Sequence, residues 1–576
     1  MTAPAPSTAR RRWGAGLTLA GFLITALALY ASTLGHEPVV DDFALVTNNP
    51  NLASWRAPLL FWTQDMWSSS GGGEPTEYYR PLAMLSFWLN AQLGGATALS
   101  VRIGNVLLHG LNAWLLGRII KAHAPRNVAS ILALAWLALP LNGEAVIWLS
   151  GRFDLLAATL ALTALLANRG RLQRSTWSVP LLLAAALTSK ENVLGWMPVL
   201  ILDDLAHQRR RVAQVLPKYV GIAAIIAAYL CIRWRLDLLT GSAFSIMGLA
   251  TISDSYINLV ATFTRLLLVP NGFSPFHLYQ RPSDAVYVAT GTGLVVVTCV
   301  VAWTRIGSSR VRGANGLLLG WGWFLASLAP TVVTGPLQGF FGDRFAYLPV
   351  MGLVVGFAAL TRLRPSAHPK PRLAILGTTL IALVTFVQGM ATVRRGVDWR
   401  TEEALSRAAT RSDPDNWYAW YMVGARQARD GRPREADANL HHALSLRPGE
   451  WRTLNALCYL RLNEHRLEQA HRYCAESLAA NPTNPRTWVN LASVQVAQHR
   501  WRSARAAASQ ALAIKPRYPE AHYLVAVSAA NEHDFAGANR HLRLGLALDS
   551  THAGLRDLAT QLRTAGHLDP ADPLPP

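Results

Sequence analysis

Residues 448–481 read PGEWRTLNALCYLRLNEHRLEQAHRYCAESLAAN, and residues 482–515 read PTNPRTWVNLASVQVAQHRWRSARAAASQALAIK. The two stretches have the same length and the same punctuation. Pro414, Pro448, Pro482 and Pro516 are each 34 residues apart, and Ser550 falls on the next beat. Ala436, Ala470, Ala504 and Ala538 keep that step at another phase. A period of this size marks a stack of two-helix units, in which small residues sit where helices touch and a proline stops the second helix. The pattern predicts an α-solenoid over 397–576, with repeats near 417–450, 451–484, 485–518 and 519–552.

That period resembles the tetratricopeptide (TPR) repeat. What precedes it is of another kind. The chain has 576 residues, too many for one soluble domain, and it is 51% hydrophobic but only 15% charged. Such a composition suits an integral membrane protein. The first apolar run, Gly14 to Leu34, follows Arg10, Arg11 and Arg12. It is long for a signal peptide, lacks a clear small-x-small cleavage site and is followed by further apolar runs, so it reads as an uncleaved first span. The fold class expected is all-α: a polytopic membrane domain over 1–396, then the solenoid.

A formal net charge of +20 could suggest nucleic acid. Its distribution argues otherwise. Lys121 and Arg126, then Arg169, Arg171 and Arg174, then Arg209 to Arg211 and Lys218, then Arg305, Arg310 and Arg312, then Arg362, Arg364, Lys370 and Arg372 all sit in short loops between apolar runs. That is the pattern of cytoplasmic loops, so no nucleic-acid partner is expected. Working outward from these loops places spans near 14–34, 102–120, 128–141, 153–168, 177–189, 193–206, 218–232, 286–304, 315–334, 345–361 and 373–393. The stretch 254–270, ended by Pro270, is expected to be re-entrant or interfacial. With a cytoplasmic N-terminus, about eleven crossings of a bacterial inner membrane deliver the repeats to the periplasm. Of the four cysteines, Cys231 and Cys299 lie in apolar runs, and Cys458 and Cys474 occupy helix-packing positions of one repeat. The latter two are either small core residues or, if that face is oxidising, a disulfide.

This topology gathers charge in the outer loops: Asp41, Asp42, Glu74, Glu77, Arg80, Glu144, Arg152, Asp154, Lys190, Glu191, Asp343 and Arg344. An unpaired charge is costly at a membrane edge, so such a collection points to a site, although headgroup contact explains any one member. Asp41-Asp42 follows the first span at the start of a long outer loop, 35–98. Adjacent carboxylates repel: one acquires a raised pKa or a cation bridges them. A carboxylate there can also activate an acceptor hydroxyl. Glu74 to Pro81 (EPTEYYRP) mixes acids, aromatics and a base, either around a sugar or as an interfacial belt. Asn105, His109 and Asn112 share one face of a span, as interhelical hydrogen-bonding residues or as part of a site. An arginine at 344 suits a lipid-linked phosphate, whose oxygens match the guanidinium fork. There is no HExxH, no CxxC, no P-loop and no GxGxxG in a strand–helix context, so no metal ligand set is expected. A divalent cation at the Asp pair stays open.

Taken in order, Asp41-Asp42, Tyr79-Arg80-Pro81-Leu82, Asn105-Val-Leu-Leu-His109, Gly143-Glu144-Ala145-Val146, Gly151-Arg152-x-Asp154-Leu155-Leu156, Ser189-Lys190-Glu191 and Asp343-Arg344-x-x-Tyr347-Leu348-Pro349 resemble the TMTC family, the transmembrane and TPR-containing O-mannosyltransferases, and its bacterial relatives. The resemblance covers nearly the whole chain. It implies a glycosyltransferase of the GT-C type, which moves a sugar from a polyprenyl phosphate to an acceptor outside the cytoplasm. By that resemblance Asp41 is the catalytic base, Asp42 supports it and Arg344 holds the lipid phosphate. Tyr79, Arg80, His109, Glu144, Arg152, Asp154, Lys190, Glu191 and Asp343 complete a substrate-binding set. The partners implied are the lipid-linked donor, a protein or peptide acceptor in the TPR groove, and membrane lipids. Two departures stand out. Leu139-Pro140-Leu141-Asn142 replaces the family's His-Pro, and Asp343 stands where Glu is expected. The sugar is therefore not carried over. Two other readings remain: a ligase or polymerase of the O-antigen type using a diphosphate-linked glycan, and a non-catalytic TPR scaffold.

Overall fold

The computed structural model describes residues 8–70, 78–169, 177–205, 212–236, 238, 249–268, 272–278, 314–332, 340–360 and 371–568. The chain divides into two compact units, Met1–Ser412 and Asp413–Pro576. The division lies beyond 396 because Trp399 and Leu405 pack into the core of the first unit. Both units are α-helical, as expected. The described strands are two-residue segments, β1 (His277–Leu278) and β2 (Phe340–Phe341), paired antiparallel with His277 opposite Phe341.

The first unit begins with α1 (Thr8–Tyr30), followed after α2 (Ala57–Thr63) and α3 (Pro81–Gly94) by α4 (Ala98–Ile120), α5 (Arg126–Leu137), α6 (Gly143–Ile147), α7 (Arg152–Arg169), α8 (Ser178–Leu187), α9 (Trp196–Asp203), α10 (Val212–Arg235), α11 (Leu249–Leu268), α12 (Ala314–Leu328), α13 (Tyr347–Leu360), α14 (Pro371–Gly396) and α15 (Glu402–Ser412). Among the described residues, five helical stretches are long and apolar enough to cross a membrane: Ala98–Ile120, Leu149–Arg169, Val215–Arg235, Asp343–Leu360 and Thr379–Trp399. A sixth is broken: Arg126–Leu137 and Pro140–Ile147 meet at 54°. Pro140 explains the break, since its ring disfavours helix in the residue before it and removes an N–H donor. Thr18–Thr33 and Ser178–Leu187 are apolar but shorter. Among the described residues, the stretches expected to span at 193–206 and 315–334 hold the 8-residue α9 and the 15-residue α12. The stretch expected at 286–304, with Cys299, lies outside the described residues, as do Glu74 and Glu77. Residues 254–270 fall mostly in α11, which buries Leu259, Phe263 and Leu266 in the core.

Helix α1 packs on α4, α4 on α5 and α7, α7 on α8, and α12 on α13. The last pair comes close because both faces are glycine. A Cβ at Gly320 would lie 2.5 Å from Gly356 Cα and 2.6 Å from the Gly352 oxygen. Small residues at a helix crossing let the helix backbones approach closely where lipid offers no hydrophobic drive.

The second unit has four helix pairs: α16 (Trp417–Arg429) with α17 (Pro433–Leu446), α18 (Trp451–Asn463) with α19 (Leu467–Ala480), α20 (Pro485–Ala497) with α21 (Trp501–Ile514) and α22 (Pro519–Asn531) with α23 (Phe535–Leu548), then α24 (Ala553–Thr564). Ala436, Ala470, Ala504 and Ala538 are each fully buried. The prolines have a second use. Trp420 Nε1 donates to the Pro414 oxygen at 2.7 Å and Trp488 Nε1 to that of Pro482 at 2.8 Å. The turn inside each pair is left-handed, at Gly431 (φ 71°), His465 (57°), His499 (57°) and His533 (62°), again 34 residues apart. Cys458 on α18 and Cys474 on α19 form a disulfide within one repeat. Cys231 is free and exposed.

Candidate active site

The chain leaves α1, makes a short turn and reaches Asp41 through a strained residue. Val40 has φ 52°, a conformation that a β-branched side chain rarely adopts. Strain of this kind persists only where its surroundings enforce it, and it gathers at functional sites. Arg102, buried in α4, supplies part of that enforcement. It donates to the Ile147 oxygen at 3.0 Å and to the oxygens of Leu34 (3.1 Å), His36 (2.9 Å) and Glu37 (3.3 Å). After Asp42 the backbone widens into one i→i+5 turn, with Asn48 N–H donating to the Phe43 oxygen at 2.8 Å. Such turns also recur at functional sites.

Asp41 and Asp42 diverge. Asp42 is fully buried and accepts from the N–H groups of Val39 (3.2 Å), Leu149 (3.4 Å) and Ser150 (3.0 Å) and from the Ser150 hydroxyl (3.0 Å). Burial pushes its carboxyl up to about 7 against the pull of these donors. A cation bridging the pair would have to displace them. Asp41 is half-buried, and among the described residues no donor meets its carboxylate. Burial raises its pKa as well, opposed by the Arg344 and Arg80 guanidinium groups.

The two arginines that act on Asp41 each sit in an ion pair, and a third pair, Lys190–Asp154, lies near those arginines. Arg80 grips Glu191 with two bonds, Nε to Oε2 at 3.0 Å and Nη2 to Oε1 at 2.5 Å. Its guanidinium lies 4.5 Å over the Tyr78 ring and 4.9 Å over that of Phe153. Burial would push Glu191 up, but Arg80, with help from Lys190, holds it at about 2. Lys190 Nζ meets Asp154 Oδ1 at 2.5 Å; burial, with Arg80 and Arg344 nearby, lowers its pKa. Arg344 pairs through Nη1 with Glu144, whose other oxygen accepts from the Arg344 N–H at 3.1 Å. A Cβ at Gly342 would collide with the Glu144 carboxylate, so any larger residue there would force this contact to shift. Phe345 lies between the cations, 4.9 Å from Lys190 Nζ and 4.8 Å from the Arg344 guanidinium. Among the described residues no protein acceptor occupies Arg344 Nε or Nη2, so both remain available to an anion.

The other expected residues lie in the surrounding scaffold. Tyr79 donates its hydroxyl to the Trp62 oxygen at 3.0 Å. Arg152 bonds Asn105 Oδ1 at 2.6 Å and the Val101 oxygen at 2.7 Å. His109 uses both ring nitrogens, on the Tyr347 hydroxyl (2.9 Å) and the Leu137 oxygen (3.1 Å). Each such interhelical bond adds only about 0.6 kcal/mol on average, but an unsatisfied polar group in lipid costs several. Asp343 turns away from Arg344 toward His277 and Arg395. Sequence reasoning missed Arg102, Ser150, His277 and Arg395. Of these, Arg102 carried a signal, an arginine inside an expected span. Also missed is a network at the far end of α7, where Asp203 accepts from Arg169 at 2.5 Å, and Asp204 from Asn168 at 2.9 Å and Tyr219 at 2.7 Å, while pairing with Lys218. Among the described residues no three His, Cys, Asp or Glu side chains converge as metal ligands.

The arrangement offers one carboxylate that can accept a proton, beside an arginine that can receive an anion, at the end of an apolar helical unit. Protein O-mannosyl-transferase F38B6.6 of Caenorhabditis elegans is 25% identical over 440 residues, covering 73% of this chain and 61% of its own. The chain is TMTC-like. Protein O-mannosyl-transferase Tmtc1 of Drosophila melanogaster is 25% identical, covering 75% of this chain and 61% of its own, and human TMTC4 is 26% identical, covering 71% and 64%. This TMTC-like chain spans about three-fifths of the length of these relatives. The tetratricopeptide-repeat family profile matches residues 461–527. Among solved structures, a TPR protein of Thermus thermophilus aligns at 19% identity with a TM-score of 0.26, covering 34% of this chain and 96% of its own.

Proposed function

We propose that this chain is an integral membrane glycosyltransferase of the GT-C type. It transfers a sugar from a polyprenyl-phosphate donor to a hydroxyl of a periplasmic protein, and the TPR unit recruits that acceptor. The observation that carries the reading is the Asp41 carboxylate, which meets no donor among the described residues and feels the charges of Arg344 and Arg80. Its O-mannosyl-transferase relatives support the sugar-transfer class. The Cys458–Cys474 disulfide supports an oxidising compartment for the repeats.

In this reading Asp41 takes the proton of the acceptor hydroxyl. The oxygen attacks the anomeric carbon from the face opposite the phosphate, the bond from that carbon to the phosphate oxygen breaks, and the configuration inverts. Polyprenyl phosphate departs with its new negative charge toward Arg344 Nε and Nη2. That contact strengthens as the bond breaks, so it lowers the barrier as well as aiding binding. Asp42 holds the 149–150 turn against the loop, and the Arg80–Glu191 and Lys190–Asp154 pairs keep the walls charged yet compensated.

Asp41→Asn preserves size and removes the base. Transfer from the polyprenyl-phosphate-linked sugar that the wild type turns over to acceptor peptide should fall by about two orders of magnitude or more, with donor binding retained. Wild-type turnover in that variant would remove Asp41 from the mechanism.

A further inference from the structure

Asp343 and Arg344 are consecutive, yet they anchor one turn in opposite directions. Arg344 reaches Glu144. Asp343, fully buried, accepts from His277 Nε2 at 2.8 Å on one oxygen and from Arg395 Nη2 at 2.6 Å on the other. Its N–H donates to the Ser274 oxygen at 3.3 Å. Arg395 also donates to the Phe273 oxygen at 3.3 Å, with its guanidinium 5.0 Å over the Phe273 ring. The β1–β2 pairing ties His277 itself to Phe341, two residues before Asp343. The segment that presents Arg344 is therefore held by Glu144 on one side and by His277 and Arg395 on the other. Arg395 lies in the last turn of α14, outside the ion pairs of Arg80, Arg344 and Lys190.

We propose that Arg395 and His277 are positioning residues for sugar transfer. By holding the Asp343 carboxylate they fix the 342–346 turn, and this aims Arg344 Nε and Nη2 at the departing phosphate. The proposal rests on Arg344 being the phosphate-holding residue. Without Arg395 the buried Asp343 carboxylate loses a charge-assisted bond and the turn has one fewer restraint. A misplacement of about 1 Å at a reacting centre costs on the order of a hundredfold in rate.

A double-mutant cycle on the purified chain tests this, with the synthetic polyprenyl-phosphate sugar that the wild type turns over fastest as the probe donor and thermal unfolding in detergent as the check on folding. Arg395→Met should lower turnover about ten- to a hundredfold while the donor KM moves less than threefold, matching the signature of Arg344→Lys. Arg395→Lys should recover part of the loss, since an ammonium can still meet Asp343. The double variant should be little worse than either single one, because both act through one contact. Normal turnover in Arg395→Met beside an impaired Arg344→Lys would overturn the positioning role and leave the reading of Arg344 standing. So would losses that multiply in the double variant. Normal turnover in Arg344→Lys would remove that reading, and the positioning role with it. If Arg395→Met does not fold, His277→Gln takes its place in the cycle under the same criteria.

Discussion

Asp41 and Asp42 show how far neighbouring residues can differ. The sequence presents two equal carboxylates. Their division depends on Ser150, more than a hundred residues away, which engages Asp42 and leaves Asp41 open. Sequence identifies the residue types and cannot identify the pairings. Arg80 with Glu191 and Arg344 with Glu144 join segments that only the folded helices bring together. The asymmetry has a consequence for pH. A general base works when ionised, and burial raises the Asp41 pKa. Activity should therefore be lost as pH falls through a value above the ordinary aspartate range of about 4. The measurement is the acid limb of kcat/KM against pH. A limb at or below about 4 would contradict a half-buried base at this position.

At the level of elements, the solenoid was legible because its period lies in the chain itself. The prolines and alanines mark helix ends and helix contacts whatever lies elsewhere. The left-handed turns were less legible, since His465, His499 and His533 occupy a conformation usually associated with glycine or asparagine. The cysteines left two readings open, because spacing alone does not say whether two helix-packing residues face each other. Cys458 and Cys474 do, on the paired helices α18 and α19. Closing a loop of this size stabilises a fold by about 3 kcal/mol. Cys458→Ser should accordingly lower the melting temperature of the chain 413–576 by roughly 6–12 °C. Dithiothreitol should lower that of the unsubstituted chain similarly. A melting temperature indifferent to both would mean that the bond adds nothing to the folded unit.

For the molecule as a whole, composition and loop charge pointed to a membrane protein, and five long apolar helices among the described residues bear out that class. The number of crossings was harder to read. Hydropathy counts apolar runs, whereas Pro140 breaks one run at an angle and α9 and α12 are shorter than the runs that contain them. The order of the motifs, not any one of them, carried the family resemblance that the relatives support over about three-quarters of the chain. The central claim is that Asp41 drives sugar transfer to periplasmic protein. Mass spectrometry of periplasmic glycopeptides tests it most directly, comparing a deletion strain complemented with the wild-type gene, with Asp41→Asn, or with neither. Glycopeptides should be restored by the wild type and remain absent with Asp41→Asn expressed at the same level. An unchanged set of glycopeptides in the deletion strain, or full restoration by Asp41→Asn, would contradict it.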